Sequence, residues 1–93
     1  MKRNDTLTLI NGTFTTDEAT QILTNVFTAK IEYHQLKNLS SQERFGKDDK
    51  TASERIPDLK MNLEKLKEII SEAKATNKEV VIHSEIKISL SDY

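Results

Sequence analysis

Apolar residues recur along this chain with two different periods. At Ile56, Leu59, Leu63, Leu66, Ile70 and Ala73 the steps alternate between three and four, which lines one face of an α-helix; Lys60, Glu64, Lys65, Lys67, Glu68 and Lys74 fill the positions between. This spacing predicts a helix over 57–77. Pro57 belongs in its first turn or just before it, since an interior proline costs about 3 kcal/mol. Asn77 suits the left-handed turn at its end. Such an amphipathic helix needs a cover for its apolar stripe.

A second helix is predicted over 16–39. Thr15 and Glu18 have the spacing of a capping box, in which each side chain satisfies a backbone N–H that the helix start leaves unpaired. Behind the cap, Ala19, Ile22, Val26, Ala29, Tyr33 and Leu36 step by three and four, while Leu23, Phe27 and Ile31, with His34 alongside, make another stripe part-way round. A helix apolar over so wide an arc is buried on more than one side. One stripe is expected on helix 57–77, and the other on a sheet, a partner subunit, or both.

The remaining apolar residues alternate. Thr6, Leu7, Thr8, Leu9 and Ile10 predict a short strand over 6–10, closed by Asn11-Gly12, which we read as a strand-to-helix turn. Val80, Ile82, Ser84, Ile86, Ile88 and Leu90 face one way from a strand over 79–90, and Val81, His83, Glu85, Lys87 and Ser89 face the other. At about 3.3 Å per residue the second strand spans about 36 Å against about 17 Å for the first. Half of it is therefore expected to lack an intrachain neighbour. Residues 40–55 read as a charged connection with short helical turns, because Ser40 with Glu43 and Thr51 with Glu54 repeat the capping-box spacing.

The order β-α-α-β predicts a single α+β domain over 1–93, with a long helical hairpin packed on one face of a short antiparallel sheet. The size of the chain makes that arrangement marginal alone. A 93-residue domain with 35% apolar and 31% charged residues has little material for a core, and small domains bury a smaller share of their surface. Completion by dimerisation is expected, giving a homodimer or higher oligomer with Leu23, Phe27, Ile31, Ile86 and Ile88 at the interface. Arg44 and Phe45 are candidates for contact with a protein partner, since aromatic and arginine side chains dominate interface energetics. The preferred reading of Phe45 by itself is that it folds back over the end of the helix pair, since isolated apolar residues are common at surfaces.

Charge and composition narrow the chemistry. Fourteen Lys and Arg against fifteen Asp and Glu give a net charge of −1, which argues against bulk attraction to nucleic acid. Without cysteine there is no disulfide framework or thiolate metal site, and no apolar leader or membrane-length run is legible. A cytoplasmic location is expected. His83 and Glu85 share a strand face but have no third ligand at a telling spacing, and Asp48-Asp49 lacks the oxygen-ligand pattern of a calcium loop. His34 reads as a hydrogen-bonded packing residue. No catalytic residue, cofactor or metal site is predicted. The expected role is that of a structural or protein-interaction module, with a catalytic or ligand site between subunits as the weaker reading.

One alternative comes from element order. A short N-terminal strand bearing Lys2, Arg3, Thr6 and Thr8, followed by two helices, resembles ribbon-helix-helix repressors, whose paired strands enter the major groove. That likeness implies a DNA-associated regulator. It covers only the order of elements: the first helix is longer than the family uses, and a second strand follows.

Overall fold

The computed structural model describes residues 3–91. Four elements follow in the order β1 (Asn4–Phe14), α1 (Thr16–Phe45), α2 (Lys50–Ala75) and β2 (Val80–Ser89). The strands form one antiparallel two-stranded ribbon and the helices a hairpin. This is the expected α+β arrangement, with the first strand and both helices longer than expected and the second strand slightly shorter.

The helices are longer because little in 40–55 stops them. Thr15 caps α1 through both arms of the box: its hydroxyl accepts from the Glu18 N–H at 3.1 Å, and its own N–H donates to Glu18 Oε1 at 3.0 Å. Helix α1 then runs 30 residues, to Gly46. There φ is +67°, a left-handed conformation open to glycine at little cost, and the Gly46 N–H closes on the Gln42 carbonyl at 2.9 Å. Asp49 caps α2 by accepting from the Ala52 N–H at 2.9 Å. The expected charged connection thus shrinks to residues 46–49. It is pinned by Gln42 Nε2 to Asp48 Oδ1 at 2.6 Å and by the Asp49 N–H to Asn38 Oδ1 at 2.7 Å. Asp48 and Asp49 serve the turn. Pro57, expected at the helix start, lies inside α2.

The first strand also outruns its expected end, which corrects the reading of Asn11-Gly12 as a turn. β1 continues through both residues to Phe14 and pairs with β2 along the whole ribbon, from Asn4 opposite Ser89 to Phe14 opposite Val80. A Cβ at Gly12 would meet the Phe14 ring at ordinary contact distance, 3.4 Å, so the strand does not depend on glycine there. The supposed length mismatch between strands disappears, and no half of β2 lacks an intrachain neighbour.

A bulge at Leu9 breaks the simple alternation. Thr8 faces Glu85 and Ile10 faces Ser84, so Leu9 is the unpaired extra residue. Leu7, opposite Ile86, keeps the face of Ile86 and Ile88; beyond the bulge Ile10, Gly12 and Phe14 take that face over. Without the bulge, Phe14 and Leu7 would lie on opposite sides of the ribbon.

The core is small and lies where the ribbon crosses the base of the hairpin. Ala19, Leu66, Ile70 and Ile82 are buried there, with Phe14, Leu23, Phe27 and Leu63 packed around them. Farther out, Ile31, His34, Ala52 and Leu59 are buried. The α2 stripe from Leu59 to Ala73 is inward as its spacing predicts. On α1 the stripe of Leu23, Phe27, Ile31 and His34 faces the chain, whereas Val26, Ala29, Tyr33 and Leu36 are exposed.

The molecule is flat and open. Its Cα atoms span 50 × 37 × 15 Å with a radius of gyration of 16.8 Å, against about 12 Å for a compact domain of this length. It exposes 7533 Å², where a compact monomer of 10.6 kDa exposes about 5,500 Å². Roughly 2,000 Å² is surplus by that scaling.

Candidate functional site

Part of the exposed apolar surface lies on one half of the ribbon. Residues 10–14 and 80–84 meet the helices; beyond the bulge the ribbon continues without them. There the face that holds Ile82 in the core carries Leu7, Ile86 and Ile88 into solvent, at 52%, 42% and 44% exposure, with Leu90 just past the strand at 57%. These side chains share a face by the pairing of Leu7 with Ile86 and by alternation along β2. The arrangement is a short apolar strip on a two-stranded ribbon, with a free backbone edge on either side.

On the opposite face lie His83, Glu85 and Lys87. His83 Nε2 and Glu85 Oε1 are 2.9 Å apart, as their shared face predicts, and both are exposed. No group of three or more histidine or acidic side chains converges among the described residues. A pair of this kind at a solvated surface orders its own two side chains and contributes little else.

The other expected interface residues have moved inward. Leu23 and Phe27 are half-buried against the chain's own core, and Ile31 is buried. Of the five residues expected at the interface, Ile86 and Ile88 remain on free surface. Alternation places Leu7 and Leu90 on the face of Ile86 and Ile88, as the pairing of Leu7 with Ile86 bears out. Spacing did not show that the helices leave this end of the face in solvent.

The exposed stripe of α1 is a weaker surface. Lys30 Nζ lies 4.8 Å from the centre of the Tyr33 ring, so a charge already sits over its middle. Arg44 and Phe45 occupy the last turn of α1, at the far end of the hairpin. Phe45 is 69% exposed and does not fold back over the helix pair. Arg3, one of the basic residues behind the ribbon-helix-helix likeness, is held by Asp5 at 2.6 Å; Lys2 lies outside the described residues.

His34 is the one buried side chain among the described residues with polar atoms lacking a hydrogen-bond partner. Both ring nitrogens are inaccessible and unpaired, and the ring meets Tyr33 edge-on at 5.3 Å between centroids. The expected hydrogen bond is absent. At the surface, the groove bordered by Lys60, Met61, Glu64, Lys65 and Glu68 is a gap between side chains of one helix face. It offers no converging polar groups around an enclosed volume. No helix among the described residues is long and apolar enough to cross a membrane.

No protein-family model matches the chain, and no curated protein or solved structure matches it either.

Proposed function

We propose that this protein is a small homo-oligomeric module for structure or protein interaction, which covers the open half of its ribbon with another polypeptide. The observation that carries this reading is the surplus of roughly 2,000 Å² over a compact monomer. That surplus includes the apolar strip of Leu7, Ile86, Ile88 and Leu90. A contiguous apolar patch on an open sheet is a place where proteins associate or aggregate. A standard interface takes about 800 Å² from each partner, well within the surplus. Phe45, exposed at the hairpin tip beside Arg44, is a second contact point for a different protein, about as far from the ribbon as the fold allows.

The test is the concentration dependence of unfolding. When folding is coupled to association, the urea or thermal midpoint rises with protein concentration by mass action. A midpoint that climbs across a hundredfold range supports the module; a constant midpoint for a folded monomer contradicts it.

A further inference from the structure

Taking the self-association proposed above as its basis, we infer that β2 pairs antiparallel with β2 of a second copy about a two-fold axis through Ile86. The two ribbons then join into one four-stranded sheet of order β1-β2-β2-β1.

The two free edges of the ribbon are not equivalent. β1 carries the bulge at Leu9, which bends and twists its open side and so discourages pairing. β2 is regular: its residues from Val80 to Ser89 each have a partner in unbroken succession. Its outward-facing backbone groups follow from one hydrogen bond. The Leu90 N–H donates to the Arg3 carbonyl at 2.9 Å, so Leu90, Ile88 and Ile86 turn their backbone toward β1. Ser89, Lys87 and Glu85 therefore turn theirs outward.

Side chains then select the register. A two-fold axis perpendicular to a sheet sets one residue opposite its own copy. Through Glu85, the axis would oppose two carboxylates; through Lys87, two ammonium groups. Like charges directly opposite each other are destabilising. Through Ser84, it would set Glu85 against the second copy's His83, although Glu85 already holds its own His83 at 2.9 Å, and Lys87 against apolar Val81. Through Ile86, Glu85 meets Lys87 of the second copy, and the contact occurs twice. Those are also the residues whose backbone groups face outward, so each charged pair coincides with a pair of backbone hydrogen bonds. Ile86 meets its copy at a non-hydrogen-bonded position, where Cα atoms lie about 4.5 Å apart and side chains are closest. The segment Glu85-Ile86-Lys87 is thus self-complementary when reversed. That symmetry favours a second copy over an unrelated strand. Beyond that centre Ile88 lies beside Ser84 of the second copy and Leu90 beside its Ile82, so the open end of each β2 runs alongside the helix-covered end of the other.

The chain contains no cysteine, so a single introduced thiol reports the register. Reduced Ile86→Cys should keep the wild-type circular dichroism and mass. On mild oxidation it should give a disulfide-linked dimer, because the opposed Cα atoms fall within disulfide range. Ser84→Cys and Ile88→Cys, each opposite the other rather than itself, should stay unlinked. Lys87→Glu should weaken association roughly tenfold, and Glu85→Lys combined with Lys87→Glu should restore it. If wild type is dimeric by light scattering but Ile86→Cys does not link, or Ser84→Cys links instead, this pairing is wrong and self-association stands. If wild type is monomeric at about 100 µM, both fall.

Discussion

Replacing His34 with leucine should stabilise this protein. His34 is 5% exposed, and both its ring nitrogens are buried without a hydrogen-bond partner. A neutral imidazole carries one N–H donor and one acceptor lone pair, and each buried group left unpaired costs about 1–3 kcal/mol. Leucine at the same place on α1 keeps the apolar contact with the hairpin seam and removes both costs. Against this stands the edge-on contact with Tyr33, worth about 0.5–1.5 kcal/mol, which leucine loses. Tyr33 itself is half-exposed, so the lower part of that range applies. The net expectation is a gain of about 1–5 kcal/mol. For a chain of this length each kcal/mol moves the melting temperature by about 4–8 °C. Urea denaturation and thermal melting should be run on both proteins at one concentration, because any coupling to association would otherwise shift the midpoints. An unchanged or lower stability for His34→Leu would mean that the imidazole nitrogens are satisfied in solution and the seam is packed differently.

Other outcomes follow from the same geometry. Gly46→Ala should lower stability by about 1–2 kcal/mol, because φ of +67° is strained for any residue with a Cβ; Gly12→Ala, whose new methyl meets the Phe14 ring at ordinary contact distance, should leave the melting temperature within a few degrees. Thr15→Ala should cost about 1 kcal/mol through loss of the α1 cap, read as a lower melting temperature. The Thr15 backbone N–H, and after it the Thr15 side chain, hold the Glu18 carboxyl below 4.5. Its contribution is therefore full above pH 4.5 and is lost as pH falls through the lowered value; an NMR titration of Glu18 should show that lowered value in wild type and only a small rise in Thr15→Ala, which keeps the backbone N–H. Phe45→Ala should leave the melting temperature nearly unchanged, since the residue is mostly in water, whereas Phe27→Asp should abolish folding by placing a carboxylate against the cluster of Ala19, Leu66 and Ile70.

Elements whose local chemistry agreed with their packing could be read directly from sequence. The α2 stripe, the Thr15 box and the strand at the C-terminus all appear where their spacing places them. The readings that failed share a cause: a local signal with two physical uses. Asn11-Gly12 looks like a turn, but pairing with His83 and Ile82 of β2 carries the strand through it. Ser40 with Glu43 looks like a new helix start, but nothing before Gly46 ends the old one. On α1 two stripes compete for the core, and spacing alone cannot rank them; the structure buries the one containing Phe27 and Ile31. The uncovered half of the ribbon was half legible. Leu7, Ile86 and Ile88 share a face by alternation, whereas the bulge that takes Leu9 out of that set and brings Ile10 and Phe14 in depends on pairing across the sheet.

The most direct measurement is the mass of the protein in solution by sedimentation equilibrium or light scattering, taken from about 1 µM to about 100 µM. A self-covering ribbon requires twice the 10.6 kDa of one chain at the upper concentrations. A folded species that keeps the single-chain mass throughout would contradict it, and would mean that Leu7, Ile86, Ile88 and Leu90 remain in water.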